Sequence, residues 1–447
     1  MTSTVTPPVD LAHRDTLDFS DRSIALLVGS AVAVVGVNRP AVAGLPPSVI
    51  MIAVAFAWTM VLRRTPGSPG SRFSTIDALL GAWLVAKVVV EYYNAGHLQV
   101  PLELGPLLDL VLAAMVVVIL KRRFGTADRV VRFARCFLIP AVGVAVLALL
   151  QVLGLFGVNR RLASITSGSA LEARIENGWD IRGTATIGHW TALGGYLCVC
   201  IAICCALLLR AHRRREPLRL LGVALAVLVA GQVTTFTFAT IAVTAVTLLS
   251  VAVVVKPRPG QIIAPLAVGG VLWWAFSSAI DERIAKQLAS DPGTASTLLP
   301  ESVAFRLNIW THETLPAISD SPLLGHGLGV YKYVGTGRVP YVLQWQSPES
   351  EWLRTAVSSG VVVLLLEVAV VLAAVRLLWR AARSVPGSYA IPLAVMLVAM
   401  VAAMCIHSHL ADRGFLLSFW VVVTGVQIIS TPTRSTPTRS TPTRRKQ

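Results

Sequence analysis

Apolar runs long enough to cross a membrane recur along this chain, and no other feature limits its fold so severely. Crossing the hydrocarbon as a helix takes about 20 mostly apolar residues. Twelve stretches read as such helices, at 22–37, 46–62, 75–93, 106–120, 136–157, 184–209, 217–232, 233–255, 261–280, 351–375, 389–408 and 414–430. The first and fourth are short, and the seventh and eighth are separated only by Gly231-Gln232 and the Thr234-Thr235 pair. Composition agrees: 55% of the 447 residues are hydrophobic and 14% charged, against roughly 25% charged in soluble domains. The expected fold is all-α, a polytopic integral membrane bundle of about twelve transmembrane helices with one long extracytoplasmic loop between spans nine and ten.

The net charge of +16 would suggest nucleic acid in a soluble protein, but its distribution says otherwise. Of the 39 Lys and Arg residues, 26 fall on one side of the expected membrane, in Lys121–Arg135, Arg210–Arg219, the tail and several short connections. Cytoplasmic loops carry the excess of Lys and Arg. The pattern therefore predicts both termini in the cytoplasm, in a cell membrane, and no nucleic-acid partner.

The expected organisation is a cytoplasmic leader at 1–21, nine spans over 22–280, an extracytoplasmic loop at 281–350, three spans over 351–430, and a disordered basic tail at 431–447 built from repeats of STPTR. A signal-peptide reading of the first run competes, because small residues in AVAVVGVNRPAVAG follow the apolar stretch; the polar leader favours a retained span. The six cysteines, four of them inside the sixth run, form no CxxC pair or zinc-type cluster and read as small buried hydrophobes.

Two outer loops stand out, 158–183 and 281–350. Long loops are usually functional or disordered. In the second, Phe305, Leu307, Ile309, Trp310, Leu315 and Ile318 alternate with polar residues over Glu301–Ser319, as in a helix lying at the membrane interface. The stretch from Arg306 to Gly360 reads as the lid and one wall of an active site on the non-cytoplasmic face.

Three motifs in order, R-x-x-x-W from Arg306, SPLLGHGLGVY from Ser321 and SPESEWLRTAVSSG from Ser347 running into a long span, resemble the O-antigen ligase and polysaccharide polymerase superfamily. RGTATIGHWTALGGYL (Arg182–Leu197) and TTFTFATIAV (Thr234–Val243) are similar to further stretches of that family. The resemblance implies a membrane glycosyltransferase that moves a saccharide from a polyprenyl diphosphate carrier to a glycan or lipid acceptor at the outer leaflet. Ligases of the family carry His-Asn where this chain has Glu349-Ser350, and some of its polymerases carry Glu. The family's Ser-Arg-Gly at the eighth span is replaced here by Phe236-Thr237-Phe238.

Glycosyl transfer needs a base for the acceptor hydroxyl, for which Glu349 and Glu351 are the catalytic candidates. A diphosphate leaving group needs positive charge, which arginine delivers through a planar fork. Arg306 leads as substrate-binding candidate, followed by Arg182, Arg174 and Arg338, with His189 and His326 as further cavity candidates. No cofactor or metal is expected. His407, His409, Asp412 and Arg413 cluster at the outer end of the last two spans and read equally as functional groups or as a helix-turn anchor. Lys87 and Glu91, four apart on one helix face, are expected to pair with each other. The alternative from another class is a twelve-span transporter or flippase of an envelope precursor, but no half-to-half similarity supports it.

Overall fold

A computed structural model of the chain describes residues 18–39, 41, 44–63, 74–98, 102–166, 170–255, 301–337, 339–340, 342–345, 347–384 and 389–431. Among them are helices α1 (Phe19–Ala33), α2 (Pro47–Val61), α3 (Thr75–Leu98), α4 (Leu104–Arg123), α5 (Ala127–Val152), α6 (Val158–Ile165), α7 (Ala170–Glu176), α8 (Trp190–Arg213), α9 (Arg219–Val233) and α10 (Phe238–Val255). After a gap follow α11 (Glu301–Ile309), α12 (Leu315–Asp320), α13 (Glu351–Ser384), α14 (Ile391–Ala403) and α15 (Arg413–Ser430). The described residues contain no strand; one isolated bridge joins Val37 to Thr166.

The chain is a polytopic helical membrane protein. Six helices, α4, α5, α8, α10, α13 and α15, are long and apolar enough to cross a bilayer. The apolar helices α2, α9 and α14 have 15, 15 and 13 residues. Helix length therefore supports fewer full crossings than the twelve expected from the apolar runs, because prolines and turns trim those runs: α2 and α14 each open on a proline turn. The ninth run at 261–280, the start of the long loop at 281–300, most of the leader and nearly all of the tail lie outside the described residues.

Helix α8 forms the axis. Its most apolar window is almost wholly buried, whereas α4, α5, α10 and α13 each leave more than half of theirs for lipid. The Gly, Ala and Cys residues of α8 permit close approach: a Cβ on Gly195 would lie 2.8 Å from His409 Nδ1. All six cysteines are free, and the four in α8 are buried in the core.

The two ends of the bundle differ. At one end Asp21 accepts from Arg123 and Arg129, Asp77 pairs with Lys121, Asp128 with Arg210, and Glu216 with Arg135. Arg122 there donates to the last carbonyls of α2, at Thr59 and Met60. This basic end carries the charge excess noted in the sequence. The opposite end holds the described parts of the connections α1–α2, α5–α8 (with α6 and α7), α9–α10, α12–α13 and α14–α15.

Helix α13 is broken near that opposite end. Gly360 sits at φ 77°, ψ 174°, a backbone region open essentially to glycine alone. A Cβ there would lie 2.1 Å from the Leu323 carbonyl oxygen. The loop Ser321–Gly327 fills the break: Val361 N–H donates to the Pro322 carbonyl at 2.8 Å, while His326 and Gly327 N–H donate to the Val357 and Ser358 carbonyls, both at 2.9 Å. The loop thus supplies partners for the Val361 N–H and for the Val357 and Ser358 carbonyls in place of those a continuous helix would have provided.

Candidate functional site

Arg306, Trp310 and Glu313 succeed one another at helical spacing and share a face. Trp310 Nε1 donates to the Pro348 carbonyl at 2.6 Å. Glu313 Oε2 accepts from Gln344 and Trp345 N–H, both at 2.9 Å, and Phe305 packs edge-on against Trp345. The helix widens to a π turn over Trp310–Thr314, an irregularity frequent at functional sites. These staples fasten the segment before α13 along the helix, and Arg306 Nη2 thereby reaches Glu349 Oε2 at 3.4 Å. Glu349 holds φ at 55°, a strained conformation for a residue with a Cβ.

Glu351, two residues on, faces a different way. It is 2% exposed and clamps the turn between α14 and α15. Its N–H donates to the Met404 carbonyl at 2.9 Å, and its Oε2 accepts from Leu410 and Ala411 N–H at 2.7 and 3.3 Å. The clamped turn carries His407, whose Nδ1 lies 3.8 Å from the same Glu349 oxygen that meets Arg306. His409 follows, with ring centroids 5.9 Å apart; it is fully buried, and neither of its ring nitrogens makes a hydrogen bond.

The segment Arg182–Trp190 forms the third wall. Gln151 Oε1 accepts from Thr184 and Ala185 N–H at 2.9 and 2.8 Å while its Nε2 donates to Thr184 Oγ1. Gly183 N–H donates to Thr234 in the α9–α10 turn, and the Thr186 hydroxyl to Ala33 at the end of α1. So fixed, the segment presents His189, whose Nδ1 accepts from Thr191 N–H and caps α8. It also presents Trp190, whose ring takes the guanidinium carbons of Arg174 and Arg182 at 4.7 and 4.9 Å. Arginine planes stacked on an aromatic face are held in orientation.

The electrostatics join the three walls. Surrounding atoms wall in His189 although solvent reaches its ring, and this desolvation, reinforced by Arg182 and Arg174, lowers its pKa to about 4. Burial, then Arg306 and His189, lowers His407 to about 4. Burial, then His407 and His189, lowers His409 to about 3. The three imidazoles are neutral at pH 7, so the positive charge of the site comes from its arginines. Among the described residues no three His, Cys, Asp or Glu side chains group as metal ligands.

The sequence candidates thus fall into two sets. Arg306 and Glu349 meet directly, and Arg174, Arg182 and His189 gather around Trp190. His326 sits apart in the α13 break, 6% exposed, with Nε2 donating to the Ala317 carbonyl at 2.8 Å. Arg338 lies outside the described residues. The expected Lys87–Glu91 pair does not form, because α3 packs its Lys87 side onto α13: Lys87 meets Glu367 at 3.7 Å. Glu91 instead accepts from the N–H groups of Glu103 and Leu328, both at 2.7 Å. The 407–413 cluster divides, with His407 at the site and Arg413 bonded to Asp109 of α4 as an anchor. The juxtaposition of His407 with Glu349 had no local signal in the sequence beyond two histidines at the end of an apolar run.

Residues 191–368, from α8 into α13 just beyond its break, match the family model described as O-antigen ligase. This stretch includes Arg306, Glu349 and Glu351 and stops short of His407. A comparison with curated proteins finds no match.

Proposed function

From the match of residues 191–368 to the O-antigen ligase family model, we propose that the chain transfers a saccharide from a polyprenyl diphosphate carrier to a hydroxyl acceptor, and that it does so at the outer face of the cytoplasmic membrane. The observation that carries this reading is the Glu349 carboxylate held between Arg306 and His407. A base, a fixed cation and a neutral imidazole are thus set at the end of the bundle opposite its basic loops. The excess of Lys and Arg in those loops supports a cytoplasmic basic end and an outward-facing site.

In the proposed reaction Glu349 takes the proton of the acceptor hydroxyl. The oxygen forms a bond to the anomeric carbon, and the bond from that carbon to the carrier diphosphate breaks. Polyprenyl diphosphate leaves with the electron pair. Its growing negative charge is met by Arg306, whose fork can take two phosphate oxygens, and by the Arg174 and Arg182 guanidiniums oriented on Trp190. Fixed charge aimed at the leaving group stabilises the transition state without reorganisation. Neutral His407 stands beside Glu349, 3.8 Å from its Oε2, and lines the site. Glu351 acts at one remove, by keeping the His407 turn against α13.

Deletion of the gene tests the reading through the carrier-linked saccharides that accumulate. Long chains left on the carrier indicate a ligase and single repeat units a polymerase. A carrier pool unchanged by the deletion would refute carrier-linked glycan transfer.

A further inference from the structure

A second cavity lies at the basic end, where α4, α5, α8, α13, α14 and α15 fail to close on one another. Its accessible interior is about 70 Å³, several times the roughly 10–15 Å³ that one water requires. Small residues on facing helices create it, among them Ala134, Ala206 and Gly425. Its polar lining comes from Arg210, Tyr389 and Ser430, all at helix ends, so polarity is confined to the mouth. Along α15 the lining runs from Ser430 back to Val421, about 13 Å at the helical rise. That depth is close to one leaflet of a hydrocarbon core about 30 Å thick.

An apolar cleft of this kind offers water no partners, and protein interiors do not keep such spaces empty. The charge at the mouth narrows the occupant. Arg210 and Arg214 both face the single carboxylate of Asp128, so the local balance is positive. The Arg214 side chain is 56% exposed and open to a ligand. Basic clefts between membrane helices suit anionic headgroups.

We propose that this cavity is a lipid site: one acyl chain of an anionic phospholipid fills it, and the headgroup phosphate sits against Arg214 and Arg210. The site is at the end of the bundle opposite Glu349, and the proposal stands apart from the glycan-transfer reading.

The test uses the purified full-length protein, stripped of lipid in detergent and titrated with dioleoyl phosphatidylglycerol or dioleoyl phosphatidylcholine, with retained lipid read by native mass spectrometry. One phosphatidylglycerol should be retained, about tenfold or more tighter than phosphatidylcholine, given roughly 1 kcal/mol per basic residue at the headgroup. Arg214→Gln should bring the two lipids to similar affinity. Ala206→Leu, deep in the cleft, and Ala134→Leu, on its half-buried wall, should each lose the bound lipid while eluting as the wild type does. If Ala206→Leu fails to fold, Ala134→Leu and the wild-type comparison still decide. Equal binding of the two lipids by the wild type would overturn the proposal, as would wild-type retention in both filling variants. No retained lipid at all would overturn it too.

Discussion

Arg306 and Glu349 meet at 3.4 Å across 43 residues of chain, and the staples from Trp310 and Glu313 to the segment before α13 bring them together. The pair lies at the mouth of the site, with side chains 19% and 35% exposed. An ion pair this open to water adds little stability. Its place beside His407 is better explained by chemistry than by folding, and that leads to the first prediction.

Arg306→Lys keeps the charge and loses the fork. Transfer should remain at least about tenfold below wild type, because a point charge does not replace bidentate contact with phosphate. Turnover of carrier-linked substrate, measured at matched protein level, checks this; wild-type turnover would remove Arg306 from donor binding.

Glu349→Gln keeps size and hydrogen bonding but not basicity. Near-complete loss of transfer is expected, with unchanged thermal stability and retained donor binding. Glu351→Ala should behave oppositely. It leaves the buried N–H groups of Leu410 and Ala411 without their acceptor and should cost about 2 kcal/mol of stability, read as a lowered Tm. If Glu349→Gln transfers normally, the base lies elsewhere.

His407 titrates at about 4 in the folded protein, below the ordinary value, chiefly through burial. The unfolded chain therefore binds the extra proton first as pH falls. The stability tied to this group is complete above about pH 6.5 and is lost progressively down to about 4, by an amount on the order of 1–2 kcal/mol. Melting curves between pH 7.5 and 4.5 should show this loss on top of those from His189 and His409, and His407→Asn should make the slope shallower without abolishing it. Identical profiles would deny that the ring is desolvated in the fold.

Gly360→Ala adds a Cβ where the Leu323 carbonyl oxygen would be 2.1 Å away. It also forces a residue with a side chain into a conformation that costs on the order of 1–3 kcal/mol. A clear fall in Tm is expected, together with protease sensitivity in 321–328. A Tm equal to wild type would mean that the loop does not occupy the break.

The proposed outward-facing orientation predicts labelling of a cysteine at Thr336 from outside intact cells and none at His212. Both positions are exposed. Cys405 is also exposed, near the site, so the probes belong in a Cys405→Ser background. The reverse labelling would place the site in the cytoplasm.

Hydropathy and loop charge were legible from the sequence because they are additive along the chain, and they located the apolar helices and the basic end. Arg306 and Glu349 stood out individually, as ionisable residues in an apolar protein. Their meeting did not, since it depends on a π turn and on hydrogen bonds between the Trp310 and Glu313 side chains and the backbone of Gln344, Trp345 and Pro348. Lys87 shows the limit of local rules: spacing on one helix suggested Glu91, yet packing of α3 on α13 delivered Glu367. His407 reaches the site only because Glu351 clamps its turn, and no periodicity encodes such a clamp. The break in α13 was visible as a glycine and not as a docking point for a loop 35 residues earlier in the chain.

That docking point uncouples two lengths. The chain leaves the break at Gly327 and returns to α11 and α12 through Gln344, Trp345 and Pro348, so both ends of the span between are fastened independently of its course. Val334 and Val339 pack against the cluster of Val330, Tyr331, Leu343 and Val357, so residues gained or lost only at the exposed tip 335–337 would leave Glu349 and Arg306 in register. Under the proposed transfer, acceptor preference could therefore drift through insertions and deletions at this tip, with the proposed reactive groups held in register throughout.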